Sequence, residues 1–157
     1  MDWLESSKGI IRAEKEPMDK LTPEHRSWNM SRIRSKDTKP ELQIRSALHR
    51  LGYRFRLHVK NVPGKPDIVL PKYHSVIFVH GCFWHRHPGC KYAYTPKSRR
   101  AFWQKKFDDN VTRDRANQKA LKKDGWKIII VWECQIQALD KTIRQVVRRL
   151  IEINCST

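Results

Sequence analysis

The sequence predicts an α/β protein in which a mixed central sheet is flanked by helices. Apolar residues recur at helical spacing near both ends and in the middle of the chain, and short runs rich in β-branched residues lie between these segments. A length of 157 residues suits one domain. We therefore expect a flexible tail over residues 1–19 and a single folded domain over residues 20–157.

Two helices are predicted ahead of the first strand. Thr-Pro-Glu at 22–24 supplies an N-cap and a proline at the first helical position, and this helix continues through Met30 to Ile33. Thr38 and Glu41 form a capping box that starts the second helix. Its apolar stripe comprises Ile44, Ala47, Leu48 and Leu51.

Strands are predicted where the spacing of apolar residues changes from helical spacing to alternation or to short continuous runs. Apolar and polar residues alternate over residues 53–57, which indicates a half-buried strand. The turn sequence NVPGKP leads to the runs DIVL and SVIFVHG, which PKYH joins as a hairpin. The run WKIIIVWE is apolar almost throughout, which is typical of a central strand covered on both faces.

Two further helices complete the predicted fold. Residues 99–124 form a long polar helix with an inward stripe, and Asp114 falls on that stripe. The other members of the stripe are Phe107, Val111, Gln118 and Leu121. The final helix is marked by Leu139, Ile143, Val146, Val147 and Leu150.

A formal net charge of +17 limits the classes of function. It favours a polyanionic partner, nucleic acid before an acidic membrane surface, and a basic protein without such a partner is the alternative. No apolar stretch is long enough to cross a membrane, and residues 1–20 lack the apolar segment of a signal peptide. We therefore expect a cytoplasmic protein that does not associate with membranes.

Cysteine and histidine residues cluster in FVHGCFWHRHPGC, residues 78–90. Without a secretory signal the thiols stay reduced, so metal binding is favoured over disulfides. The local candidate ligands are Cys82, His85, His87 and Cys90. A further ligand must come from elsewhere: Cys134 ends a predicted strand, whereas Cys155 lies near the C-terminus and is the weaker candidate. Since a structural zinc site takes four ligands, one histidine is spare.

Asp67 stands where a divalent cation could be held. It opens the strand DIVL directly after the rigid turn PGKP, and the adjacent hairpin strand brings Val79 and His80 near it. A carboxylate suits magnesium, which prefers oxygen ligands, and a turn residue that satisfies local amides is the alternative. His85 is either a zinc ligand or an imidazole that accepts a proton from water.

Asp114 and Glu41 each have two interpretations. An inward carboxylate must be paired or functional, because burying a lone charge is costly. Asp114 is therefore either an acceptor that orients a catalytic imidazole or one half of a structural salt bridge. Glu41 is explained by the capping box, and a role in the active site is the alternative.

Five segments, taken in order, resemble the very short patch repair (Vsr) DNA mismatch endonucleases: NMSRIRSKDT, PGKPDIV, VIFVHGCFWHRHPGC, FWQKK with NVTRDR, and GWKIIIVWEC. The resemblance runs from residue 20 to about residue 150. It implies a restriction-endonuclease-like fold with a structural zinc site. It also implies an enzyme that nicks one strand of double-stranded DNA beside the T of a T:G mispair, which arises when 5-methylcytosine deaminates.

The same resemblance implies roles for the polar residues. Asp67 corresponds to the magnesium-binding aspartate, and Val79 provides a main-chain carbonyl contact to that ion. His85 corresponds to the catalytic imidazole, Asp114 to the carboxylate that supports it, and His80 to a second histidine of the active site. The implied zinc ligands are Cys82, His87, Cys90 and Cys134.

The resemblance also implies roles for three aromatic and two aliphatic residues. Phe83, Trp84 and Trp103 correspond to side chains that enter the DNA stack from the major groove, and Met30 and Ile33 to apolar residues that reach the minor-groove side. A ring enters a base stack only if its backbone is held firmly, since unstacking costs roughly a few kcal/mol per step. A zinc-bound loop would provide that rigidity.

The sequence therefore predicts a magnesium-dependent mismatch endonuclease with a structural zinc. We expect a monomer that acts at the prokaryotic nucleoid, where it can meet other mismatch-repair proteins. Three features depart from the family pattern: Val79 replaces a threonine, FVH lacks the acid-x-lysine of related nucleases, and HRHPGC has one extra residue. The alternatives are a restriction-type nuclease of the same fold without mismatch preference and a zinc-stabilised DNA-binding module without catalysis.

Overall fold

The computed structural model describes residues 22–32 and 36–154. The predicted tail, Ile33 and Cys155 lie outside these residues, and so does the side chain of Met30. The helices are α1 (Pro23–Ser31), α2 (Lys39–Arg50), α3 (Arg100–Lys123) and α4 (Leu139–Asn154). The strands are β1 (Ile68–Leu70), β2 (Ser75–His80) and β3 (Lys127–Trp132). None of the described helices is long and apolar enough to cross a membrane.

The three strands form one mixed sheet in the order β1-β2-β3. β1 and β2 are the antiparallel arms of a hairpin, with Ile68 opposite Ile77. β3 runs parallel to β2 and places Ile129 beside Ile77. The predicted hairpin and the predicted mixed sheet are therefore confirmed. The prediction that WKIIIVWE is the central strand is wrong, because β2 lies between the other two strands.

Helices cover both faces of the sheet, as predicted. On one face α2 and α4 bury a core cluster that includes Ile44, Leu48, Ile77, Ile129, Val131, Ile143, Val146 and Leu150. On the other face Leu121 of α3 packs with Val69, Val76 and Phe78. β3 is apolar on both faces because helices cover it from each side, although it is an edge strand of the described sheet. An apolar strand sequence therefore shows that helices bury both faces of the strand. It does not show that the strand lies between two other strands of the sheet.

Residues 53–57 do not form the predicted strand. Only Arg56 pairs with the sheet, through backbone hydrogen bonds of 2.8 and 2.9 Å with Val69. His58 has a positive φ of 53°, so the chain turns away before a ladder can extend. The predicted core position of Leu51 is also wrong. Leu51 is 58% exposed, because α2 has ended and its apolar stripe no longer faces the sheet.

Helix α3 agrees with the predicted helix over residues 99–124 and with its inward stripe. Phe107 and Leu121 are buried, and Asp114 lies half-buried between them. Gly125 follows with a φ of 78°, and the Trp126 N–H reaches back to the Leu121 carbonyl at 2.9 Å. This left-handed cap turns the chain sharply into β3. The helix thereby crosses the sheet and brings Asp114 to the end of β2.

Candidate active site and metal centre

Asp67 lies at the entrance to β1, in a cavity of about 720 Å³. The preceding turn packs closely on α3: a Cβ on Gly64 would meet the Asn117 Cβ at 2.9 Å. The Asp67 Oδ2 accepts a hydrogen bond of 2.7 Å from the Val79 N–H of β2. Burial raises the pKa of Asp67 to about 6, although the Val79 bond acts in the opposite direction. The hairpin has thus brought Asp67 and Val79 together, as the sequence predicted.

Glu41 is buried at the start of α2 and lines the same cavity as Asp67. Its carboxylate accepts hydrogen bonds from the Asp37 N–H at 3.0 Å and the Thr38 hydroxyl at 2.8 Å. It also forms an ion pair of 2.9 Å with Arg45, which pairs with Asp37 as well. The predicted capping box does not form, because the Thr38 side chain caps no helix N–H and Glu41 accepts from the Asp37 N–H and the Thr38 hydroxyl. Glu41 therefore has a structural role and also faces the cavity.

His85 and Asp114 form a hydrogen-bonded pair in this cavity. The His85 Nδ1 lies 2.5 Å from the Asp114 Oδ2, and both side chains are partly buried. Burial of Asp114 opposes its ionisation, but the hydrogen bond and charge of His85 outweigh that effect, and the pKa of Asp114 lies below its ordinary value. The partner of Asp114 is therefore a histidine and not one of the chain's arginines.

His80, the last residue of β2, stacks directly on His85. The two ring centroids are 3.9 Å apart and the planes differ by only 9°. His80 is 6% exposed, and burial together with the adjacent His85 lowers the pKa of His80 to about 4. The neutral form of His80 is therefore favoured at physiological pH, and its ring adds no positive charge beside His85. Asp67, His80, His85 and Asp114 all line one cavity.

A second cluster gathers Cys82, His87, Cys90 and Cys134, whose ligand atoms all lie within 4.8 Å of one another. The His87 Nδ1 lies 3.6 Å from the Cys82 Sγ and 3.3 Å from the Cys134 Sγ. Tetrahedral zinc bonds of about 2.3 Å to sulfur and about 2.0 Å to nitrogen separate such atoms by roughly 3.5 Å. The donor set and its spacing therefore fit a structural zinc ion.

Local backbone structure holds the four residues of this candidate metal site together. Arg86 and Gly89 have positive φ angles of 53° and 69°, which fold the loop tightly. The His87 N–H donates to the Cys82 carbonyl at 3.1 Å. The 3₁₀ turn that follows β3 delivers Cys134, and the imidazole of His87 stacks on Trp132 with centroids 4.2 Å apart. The segment from His87 to Cys90, which is one residue longer than the family pattern, closes as a turn through a hydrogen bond of 3.2 Å from the Cys90 N–H to the His87 carbonyl.

Aromatic side chains form a half-buried cluster between the loop and the start of α3. Phe83 touches Trp84 and Trp103 edge-on, with centroids 5.0 and 5.5 Å apart. Trp103 also lies against the buried Phe107, at 5.8 Å. The Lys106 Nζ stands 5.5 Å above the Trp84 ring. The three aromatic residues predicted on the major-groove side are thus brought together, while Met30 and Ile33 cannot be placed relative to them from the described residues.

The cavity contains polar residues that the sequence analysis did not single out. Asn110 donates a hydrogen bond of 3.1 Å to the Trp84 carbonyl, one residue before His85. Arg113 in turn donates to Asn110 at 2.7 Å. Asn110 lies four residues before Asp114 on α3, so helical spacing could have identified it. Lys65 and Glu133 also line the cavity, and no local pattern identified them.

Comparison with known proteins identifies the family of this chain. The profile of the family described as DNA mismatch endonuclease Vsr matches residues 18–91. The chain is 47% identical over 131 residues to the type II nicking enzyme V.XorIIP of Xanthomonas oryzae pv. oryzae, covering 82% of this chain and 96% of that protein.

Two further relatives have similar names and coverage. The type II nicking enzyme V.NmeAIP of Neisseria meningitidis is 46% identical over 119 residues, which are 76% of this chain and 84% of that protein. The DNA mismatch endonuclease Vsr of Escherichia coli is 41% identical over 138 residues, 87% of this chain and 86% of that protein. We conclude that the chain belongs to the Vsr family of DNA mismatch endonucleases and is an enzyme of that class.

Proposed function

We propose that this protein is a magnesium-dependent endonuclease that nicks one strand of double-stranded DNA beside the T of a T:G mispair. The observation that carries the proposal is the meeting of Asp67 with the His85–Asp114 pair in one cavity, next to an aromatic cluster. A cation site, a proton acceptor and rings suited to stacking on bases are the components that mismatch cleavage needs. The names of the nicking and mismatch-cleaving relatives support the same activity.

Magnesium would be held by the Asp67 carboxylate and the main-chain carbonyl of Val79. The fit rests on Asp67 itself, a largely buried carboxylate with a raised pKa and no ion pair within the part of the chain that the structure describes. A bound divalent cation would compensate the charge of this carboxylate and would compete with the proton that burial favours. Magnesium bound there would stabilise charge on the phosphate and lower the pKa of a bound water. Glu41, close enough for its charge to affect Asp67, would add to the attraction for the cation.

His85 would act as the general base. A carboxylate only accepts hydrogen bonds, so Asp114 holds the proton on Nδ1 and leaves the Nε2 lone pair available. Nε2 then accepts a proton from water as the water oxygen attacks phosphorus, and the phosphodiester bond to the leaving oxygen breaks. The stacked neutral ring of His80 limits the movement of the His85 imidazole out of this position.

Zinc bound by Cys82, His87, Cys90 and Cys134 would be structural. All four protein ligands are present, which leaves no open position for a substrate. Its role would be to hold the loop that carries Phe83 and Trp84 on one side and His85 on the other. One rigid loop would then couple recognition of the mispair with placement of the catalytic imidazole.

Recognition of the mispair would depend on Phe83, Trp84 and Trp103 from one groove and on Met30 and Ile33 from the other. A mispair opens at lower cost than a matched pair, and an inserted ring recovers stacking energy. The mixed sheet with helices on both faces supports a restriction-endonuclease-like fold. We propose that the enzyme is a monomer and that it acts on the DNA of the bacterial cell, as its bacterial relatives suggest.

A strand-labelled nicking assay tests this function. Duplexes that differ only in one T:G or matched pair are incubated with zinc-loaded enzyme, with magnesium added or omitted. We expect a single nick beside the T of the mispaired duplex, and only with magnesium. Equal cleavage of both duplexes would indicate a restriction-type nuclease without mismatch preference. Binding without cleavage under all conditions would contradict catalysis at this site.

A further inference from the structure

Lys65 has an unusual backbone conformation beside the catalytic aspartate. Its φ is 49°, in the left-handed region, and it directly precedes Pro66. Residues with a Cβ seldom adopt this region, and a residue before proline normally adopts an extended conformation. Strain of this kind persists only where the surrounding structure enforces it, and it concentrates at functional sites.

The residues around Lys65 hold its backbone in this left-handed conformation. The Lys65 N–H donates a hydrogen bond of 3.2 Å to the Val62 carbonyl, which closes a turn with proline and glycine at its centre. Val62 belongs to the core cluster beneath α3, and Pro66 is buried. Gly64 is pressed against Asn117 of α3. The Lys65 backbone is thus anchored on both sides while its side chain stays exposed.

The side chain of Lys65 lines the cavity that contains Asp67. Other cations of the cavity wall already have partners: Lys106 stands over the Trp84 ring, and Arg113 bonds to Asn110. For Lys65 the described part of the chain provides no carboxylate partner. An unpaired ammonium group that lines the same cavity as Asp67 is placed to bind an anion that enters the cavity.

We propose that Lys65 is a phosphate-binding residue of the active site, which contacts the cleaved strand at the nicked phosphate or at a phosphate next to it. This proposal rests on the proposed function, because it assumes that DNA is cleaved at the Asp67 cavity. The second strand of the hairpin, Ser75–His80, contains no lysine. Lys65 supplies a cation to the same cavity from the turn that precedes the first strand.

The test is a binding cycle between protein and DNA variants, measured in magnesium-free buffer with zinc-loaded protein. A methylphosphonate, which is uncharged, replaces the nicked phosphate or one of its two neighbours, one at a time. For wild-type protein, one of these replacements should weaken binding about 10- to 150-fold, the effect of losing one charge-assisted hydrogen bond. The same replacement should have no further effect on Lys65→Gln. A plot of the logarithm of the binding constant against the logarithm of the salt concentration should be less steep for Lys65→Gln than for wild type. The difference in slope should be about 0.9, the value for one phosphate contact.

Two further variants separate the side chain from the backbone. Lys60→Gln removes an exposed lysine from the same loop outside the cavity lining, and it should bind and nick like wild type. Lys65→Gly suits the left-handed backbone, so it should melt no lower than wild type and yet lose the same phosphate contact. It also provides a folded test protein if Lys65→Gln does not fold.

Equal methylphosphonate effects on wild type and Lys65→Gln at all three positions would overturn the proposal. So would wild-type binding and nicking by Lys65→Gly, because the side chain would then be dispensable. If wild-type protein binds the mispaired duplex without nicking it, the proposed function fails. A methylphosphonate scan of that duplex then still decides whether Lys65 contacts a phosphate.

Discussion

The Nδ1 atom of His85 lies 2.5 Å from the Oδ2 atom of Asp114, although the two residues are 29 positions apart in the sequence. The contact joins the loop of the metal centre to the middle of α3. Helix α3 also contacts the aromatic cluster, because Asn110, one turn earlier on α3, donates a hydrogen bond to the carbonyl of Trp84. Small movements of α3 would therefore displace the Trp84 backbone and the His85 imidazole together.

Replacing Asp114 by Asn should reduce the single-turnover nicking rate by about 10²- to 10⁴-fold, the usual contribution of a positioned general base. An amide no longer stabilises the charge that forms on His85, and it can hold the wrong tautomer. His85→Ala should lose nicking to a similar extent. Melting temperatures and DNA affinities should change little. The control is Asp109→Asn, which removes an exposed carboxylate paired with Lys105 on the same helix.

If Asp114→Asn unfolded the protein while Asp109→Asn did not, Asp114 would be a structural residue. Equal nicking rates of the two variants would contradict a role for the His85–Asp114 pair. Both outcomes are distinguished by measuring melting temperature and nicking rate on the same preparations.

Replacing Asp67 by Asn should abolish nicking and stabilise the magnesium-free fold at alkaline pH. The folded-state pKa of about 6 is above the ordinary value of 3.8, so the folded protein binds more protons than the unfolded chain between these values. The contribution of Asp67 to stability is therefore full below about pH 4 and is lost as the pH rises through 6. The ionised group then costs up to about 3 kcal/mol.

Thermal melts of zinc-loaded protein without magnesium, at about pH 5 and about pH 8, measure this effect. The gain in melting temperature from Asp67→Asn should be larger at the higher pH. Asn can still accept the Val79 hydrogen bond, so the comparison isolates the charge. A lower melting temperature of Asp67→Asn at the higher pH would indicate that the carboxylate has a structural function.

The metal centre should contain one zinc ion per chain. Cys134→Ser should lose that zinc and a large part of the stability, because metal binding contributes directly to folding. Cys155→Ser should keep the metal, since Cys134 already completes the four-ligand cluster. Elemental analysis and thermal melts of both variants measure this prediction. Zinc loss in Cys155→Ser, with zinc retained by Cys134→Ser, would refute the proposed ligand set.

Truncating Trp84 to Ala should reduce the preference for T:G over matched DNA. Loss of one base–aromatic stack corresponds to about 1–3 kcal/mol, and it should affect mainly the mispaired duplex. The melting temperature should change little, because Trp84 is half-exposed. Fluorescence anisotropy with both duplexes measures the ratio of affinities.

Arg100→Gln is the matched control for the Trp84 variant. Arg100 is exposed and is the first residue of α3, the helix that carries Trp103 of the aromatic cluster. It should weaken binding of both duplexes equally and flatten the salt dependence. If Trp84→Ala weakened both duplexes by the same factor, the aromatic cluster would grip DNA without selecting the mispair.

Local sequence was sufficient to predict the helices, the hairpin and the clustering of cysteine and histidine in residues 78–90. The spacing of apolar residues identified α2, α3 and α4, because helical periodicity and burial are properties of neighbouring residues. The proximity of Cys82, His87 and Cys90 follows from their short separation in the chain. The meeting of Asp67 and Val79 follows from hairpin register, which is likewise local.

Tertiary structure decided the relationships between distant segments. The central place of β2, the single bridge at Arg56, the pairing of His85 with Asp114 and the position of Lys65 all depend on which surfaces meet when the helices pack on the sheet. An apolar run indicates that a strand is buried on both faces, but it does not identify the neighbouring strand. A carboxylate on the inward stripe of a helix must have a partner, but the sequence of the helix does not identify that partner. Periodicity records only the burial of each residue, whereas a catalytic site requires contacts between residues far apart in the chain.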